Sequence, residues 1–173
     1  KKTNTDPHLW LSPILAAAIV DQVLPELIKI DPNQAGIYNS NADKLKNRLK
    51  ALLVNGQKKL NQMKDIPFLV YHDAWSHFAT AFGLNISGAI SLKPERSPGA
   101  KRISEIRKLV MTSGTRCLFK EPQFGSPLVV TVLQGHDDVL ILGLDPLGAT
   151  LDPGPGLYFR LMEDNISAVA SCG

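Results

Sequence analysis

The spacing of apolar side chains changes character along the chain. Ser12-Pro13 supplies a hydroxyl cap and a proline suited to the first helical position, and Leu15, Ile19, Val23 and Leu27 then recur every four residues. This predicts a helix over 12–30. Pro25 should kink or shorten it, because proline removes a backbone donor and its ring clashes with the preceding turn. Asp31-Pro32 breaks the pattern. A second stripe of Leu45, Leu49, Leu52, Leu53, Leu60 and Met63, with Lys and Arg between, predicts a longer helix over 34–64. Unbroken, it would be about 45 Å long at ~1.5 Å per residue, enough to bridge two lobes. Gly56 is its weak point.

Beyond 65 short apolar runs alternate with helical patterns. Strands are predicted at 66–71, 86–92, 117–119 and 139–142. Helices are predicted at 74–82 (closed by Gly83), from Ser97-Pro98 to Gly114, from Ser126-Pro127 to Leu133, and over 156–171. Strand then helix, four times over, gives an α/β class with a four-stranded parallel sheet flanked by helices and preceded by a long interdomain helix. In such sheets binding residues gather at the carboxyl ends of the strands. Those positions hold His72 and Asp73, Lys93 to Glu95, Glu121 to Gln123, and Asp145, so each carries a potential metal ligand.

Composition narrows the classes. An apolar fraction of 44% with 20% charged residues excludes a disordered tail or a collagen-like fibre. A net charge of +3 with little clustering argues against a nucleic-acid partner; the richest basic region, 44–64, interleaves its cations with leucine as a solvated helix face does. No run approaches the ~20 apolar residues of a membrane-spanning helix. The polar opening, without an initiator Met or an apolar leader, is read as a processed chain or a fragment.

Taken singly, the histidines carry weak signals. His8 precedes a capped helix beside Trp10, His77 follows His72 along a helix, and His136 sits in a turn; each has an ordinary packing or loop reading. Asp145 and Glu121, each before a proline, read equally well as turn formers. Together, His8, His72 and Asp145 offer two imidazoles and a carboxylate, a borderline-soft donor set suited to Zn²⁺. They are dozens of residues apart, which excludes a finger or ribbon and requires a site assembled by tertiary structure. No Gly-x-Ser-x-Gly elbow, phosphate-binding loop, dinucleotide fingerprint or His-Glu-x-x-His helix is present. Cys117 and Cys172 form no Cys-x-x-Cys motif. A bridge between them would staple the last helix to the third strand, contribute roughly 4 kcal/mol, and imply an oxidising compartment; the alternative is two buried free thiols.

Five ordered segments carry a resemblance. They are Asp6-Pro7-His8-Leu9-Trp10-Leu11-Ser12-Pro13, Tyr71-His72-Asp73-Ala74-Trp75, Pro94-Glu95-Arg96-Ser97-Pro98-Gly99-Ala100, Glu121-Pro122-Gln123-Phe124 and Leu144-Asp145-Pro146-Leu147-Gly148. In that order the chain resembles the C-terminal half of the ZnuA-type zinc-binding proteins, periplasmic receptors of bacterial zinc ABC importers. The resemblance implies the C-terminal lobe of a two-lobed metal-binding receptor. It places a remnant of the N-terminal lobe at 1–33, a long linking helix at 34–65, and the C-terminal α/β lobe at 66–173. It implies zinc held by His8 and His72, with Asp145 at a position some relatives use as a ligand and Glu121 supporting the site from behind. It also implies a Cys117–Cys172 disulfide, and an imidazole at His72 that favours zinc over manganese. The first histidine of the family and its acidic, His-rich loop have no counterpart in this sequence, so affinity should fall below that of a whole receptor.

The expected function is zinc capture in the periplasm and delivery to the membrane permease of an ABC importer, by a monomer without catalytic activity. The rival readings are a manganese receptor of the same family and a zinc-dependent hydrolase with Glu121 as base.

Overall fold

The computed structural model describes residues 6–91, 98–124 and 127–173. The polar run 1–5, the segment 92–97 with Lys93, Glu95 and Ser97, and Ser126 lie outside the described residues.

A 3₁₀ turn at Leu9–Leu11 leads into helix α1, Pro13–Ile30, where the Ser12 hydroxyl accepts from Leu15 N at 3.4 Å. The proline at the first position and the hydroxyl before it act as the sequence predicted. Pro25 does not shorten the helix, which runs on through it to Ile30. Packing of α1 along the next helix compensates for the one missing backbone bond.

Helix α2 spans Ala35–Lys59, ending short of the predicted 64. Leu60 N still bonds to Gly56 O, and a 3₁₀ turn at Asn61–Met63 then points Leu60 and Met63 inward, both fully buried. The remaining elements are β1 Phe68–His72, α3 Ser76–Phe82, β2 Ile86–Ser91, α4 Ala100–Ser113, β3 Cys117–Lys120, α5 Pro127–Leu133, β4 Leu140–Gly143 and α6 Leu157–Ala170. Helix α4 begins after Gly99 rather than at Ser97-Pro98, and its end at Gly114 has the left-handed φ of +66° that glycine adopts without strain.

All strand pairs are parallel, in the order β2-β1-β3-β4. Period-2 alternation sends side chains to two faces, both covered. Phe68, Val70 and Phe119 point to one face, where they pack with Leu49 and Leu52 of α2, Phe78 and Phe82 of α3, and Met162 and Ile166 of α6. Leu69 and Leu118 point to the other, against Ile106 and Val110 of α4 and Val129 and Val132 of α5. The result is three layers, α/β/α. Leu11 is wholly buried in the first of these cores, which anchors the segment ahead of α1 to the sheet domain.

Cys117, at the start of β3, is joined to Cys172, just past α6, by a disulfide that closes a separation of 55 residues. The apolar stripe predicted on α1 faces an open groove. Ile19, Val23 and Leu27 are each at least 40% exposed, and the groove is completed from α2 by Tyr38 and Leu45. No helix is long and apolar enough to cross a membrane among the described residues.

Candidate metal centre

The strand order reverses between β1 and β3. From β1 the chain crosses to β2 on one side, then returns over β1 to β3 and β4 on the other. A crevice opens at the carboxyl ends of two adjacent parallel strands wherever their connections leave in opposite directions. His72 closes β1 and Glu121 follows β3, so both flank this point.

Glu121 is 2% exposed. One of its carboxylate oxygens lies 3.4 Å from His72 Nδ1, and the other accepts from Trp75 Nε1 at 3.3 Å. A hydrogen bond with Glu121 raises the His72 pKa; burial opposes it, and the charges of Glu121, Asp73 and Asp6 add to the rise.

His8 reaches the same place from the segment ahead of α1. Its ring centroid is 5.1 Å from that of His72, the rings standing edge to face at 79°. Its Nδ1 is 2.6 Å from Asp6 Oδ1, which also accepts the His8 backbone N–H at 3.0 Å. Burial alone would push the Asp6 carboxyl upward, but hydrogen bonds from Ser76 and His8 hold it below its usual range. Each imidazole therefore has Nδ1 turned to a carboxylate. Neither Nε2 has a protein partner among the described residues, and this is the arrangement of metal-ligating histidines.

Asp145 arrives on the loop after β4. Trp10 Nε1 donates to Pro146 O at 2.8 Å, and Tyr158 of α6 donates its hydroxyl to Trp10 O at 2.9 Å, so this loop and the His8 segment are latched together. Burial raises the Tyr158 phenol and keeps that donor protonated. The Asp145 carboxylate shapes its own loop. Oδ1 accepts from Gln123 Nε2 and Leu147 N, both at 2.8–2.9 Å, and Oδ2 accepts from Ala149 N at 2.6 Å. The turn-former reading of Asp145 thus describes its contacts, and one lone pair on Oδ2 is left over. Among the described residues no group of three or more His, Cys, Asp or Glu side chains stands close enough together to hold a metal ion.

Sequence reasoning gave no role to Asp6, Ser76 or Trp75. The signal for Asp6 was present in Asp6-Pro7-His8: an aspartate two residues ahead can accept from the later backbone N–H and reach the side chain it precedes. His77, given a packing role, donates Nε2 to Asp6 O at 3.0 Å. His136 serves its turn through the backbone, with its N–H on Leu133 O.

Known proteins share this design. The ZnuA family, described as the periplasmic component A of a zinc-uptake complex, matches residues 1–172; its members are binding receptors, not enzymes. The high-affinity zinc uptake system protein ZnuA of Brucella abortus is 37% identical over 96% of this chain and 50% of its own length. The protein of that name from Paracoccus denitrificans is 33% identical over 98% of this chain and 52% of its own. The chain thus spans about half the length of the curated relatives it matches. Among solved structures, AdcAII of Streptococcus pneumoniae superposes with a TM-score of 0.81 at 28% identity, over 96% of this chain and 62% of that one. The laminin-binding adhesin Lmb of Streptococcus agalactiae shares the fold with a TM-score of 0.87 at 24% identity, over 99% of this chain and 65% of that one. Its parallel α/β lobe, its segment matching the family from the first residues onward and its paired imidazoles at the strand ends make this chain a member of the ZnuA family of zinc-uptake components.

Proposed function

We propose that this chain captures Zn²⁺ in the periplasm and passes it to the membrane permease of an ABC importer. The observation that carries the reading is the pair His8 and His72, ring centroids 5.1 Å apart, each with Nδ1 directed to a carboxylate and Nε2 left for metal. Imidazole nitrogen suits zinc, and the carboxylates behind the rings, Glu121 buried and Asp6 partly so, raise their basicity as ligands. The zinc-uptake names of the relatives and the Zn(II)-bound state of one AdcAII structure, 29% identical with a TM-score of 0.79, favour the same cargo. To serve as a third ligand in this reading, Asp145 would have to shift from its loop contacts toward the paired histidines, because among the described residues no three such side chains stand close enough together to hold a metal ion.

The domain division belongs to the same proposal. Residues 1–33 belong to the N-terminal lobe, contributing the metal-ligand loop and a helix, 34–65 form the long linking helix, and 66–173 form the C-terminal α/β lobe. The open apolar groove between α1 and α2 supports it, since Ile19, Val23 and Leu27 would be covered by the rest of that N-terminal lobe. The receptor acts as a monomer.

Calorimetric titration with Zn²⁺ at pH 7.5 and 5.5, with Mn²⁺ as competitor, tests the proposal. Binding needs neutral imidazoles, and Glu121 holds the His72 pKa above its ordinary value near 6.5, so affinity falls as pH drops through that raised value. His72→Ala should abolish tight binding while leaving the circular dichroism spectrum unchanged. Equal affinity at the two pH values, or full affinity in the variant, would sink the zinc reading; preference for Mn²⁺ would replace it with a manganese receptor.

A further inference from the structure

Four hydrogen bonds meet at Asp6. Oδ1 accepts from His8 N and from His8 Nδ1, Oδ2 accepts from the Ser76 hydroxyl, and the main-chain carbonyl accepts from His77 Nε2. Ser76 and His77 are the first two residues of α3, the helix that follows the strand ending in His72. One residue therefore joins one imidazole to the element that carries the other.

The chemistry of this knot is directional. An ionised carboxylate only accepts, so the proton of the neutral His8 ring stands on Nδ1 and the lone pair on Nε2. Free imidazole side chains in water favour the opposite tautomer, with Nε2 protonated and unable to bind a metal. An aspartate that merely shaped the turn would need only the backbone bond to His8 N. The bonds to Nδ1 and from Ser76 are additional, and they fix both the ring and the place of the segment on α3.

We propose that Asp6 is the positioning residue of the metal centre: it selects the Nδ1–H tautomer of His8 and, through Ser76 and His77, locks the His8 segment to α3 so that the two imidazoles keep a fixed separation. Glu121 does for His72 what Asp6 does for His8, but from inside the core. The inference rests on the zinc-capture reading for its purpose, while the tautomer it assigns is a property of the metal-free chain.

The experiment therefore has two arms. Imidazole ¹⁵N NMR of the metal-free protein reads the tautomers directly, and zinc calorimetry reads their consequence. Wild type should show His8 as Nδ1–H. Asp6→Ala should move His8 toward Nε2–H, leave the tautomer of His72 as Glu121 sets it, and weaken zinc binding by roughly 10- to 100-fold. Asp6→Asn, which keeps a carbonyl acceptor at that position, should restore the Nδ1–H tautomer and part of the affinity, and it serves as the test if the alanine variant fails to fold. Retention of the Nδ1–H tautomer in Asp6→Ala, or zinc affinity within about twofold of wild type, would overturn the proposal. A wild-type protein that binds no zinc defeats the capture reading alone, because the metal-free tautomers still decide what Asp6 does.

Discussion

Glu121 is the most deeply buried carboxylate next to the candidate centre, and its two oxygens divide between His72 and Trp75. Its hydrogen bond is the first cause of the raised His72 pKa. The consequence for stability has a definite sign. A histidine whose folded pKa is raised adds stability that is fully present below its ordinary value near 6.5 and is lost as pH rises through the folded value. The Glu121→Gln variant should therefore show a His72 titration midpoint closer to 6.5, read by NMR, and a deficit against wild type in metal-free stability that widens as pH falls. For zinc the proton is a competitor, so in this variant the acid limb of the affinity profile should move to lower pH, while affinity at pH 7.5 drops for want of the carboxylate behind the ring. A midpoint that does not move would show that Glu121 is not the partner setting the protonation of His72.

At the scale of elements, the telling position is Gly56 on α2. The sequence made it the weak point of a long helix, on propensity alone. The structure gives it a packing role. A Cβ there would stand 2.5 Å from Phe82 Cε1 and 2.8 Å from Ile166 Cδ1, so the missing side chain lets α3 and α6 close onto α2. Phe82 and Ile166 are themselves buried, so making room for the new methyl group disturbs the core. Gly56→Ala gains up to about 1 kcal/mol of helix propensity and loses about 1–3 kcal/mol to overpacking. The expected outcome is a net loss of about 1 kcal/mol in urea unfolding; an increase in stability would mean that the three helices have slack that the structure does not show. The same reasoning explains why α2 stops at Lys59: Leu60 and Met63 reach the core better from a tight turn than from a continued helix.

Across the whole molecule, the disulfide and the metal centre sit at opposite ends of the sheet. Cys117 begins β3 and its bridge pins the residue after α6, whereas Glu121 lies just past the far end of the same strand. Opening a covalent loop of 55 residues removes roughly 4 kcal/mol in the chain-entropy model. Replacing both cysteines by alanine should lower the free energy of unfolding in urea by an amount of that order, with zinc affinity within about twofold of wild type where the variant remains folded. A large affinity loss in the folded variant would mean that the C-terminal helix transmits strain along β3 to the crevice. Such a bridge also accords with an oxidising compartment, in line with the periplasmic description of the family.

Local chemistry was enough for the class of the fold. Apolar runs of strand length alternating with capped helical patterns left a covered parallel sheet as the consistent arrangement, and strand ends pointed to His72, Glu121 and Asp145. The five ordered segments carried the family as well, because residue types and their order are properties of the sequence itself. Contacts between residues far apart in the chain were beyond its reach. That His8 stands edge-on to His72, that Trp10 ties its segment to Pro146, that Asp145 spends most of its oxygens on its own loop, and that Asp6 binds α3 depend on how separate elements pack. Sequence patterns report periodicity over a few residues; a metal centre is made where several such stretches meet, and only the packed core brings them to hydrogen-bonding distance.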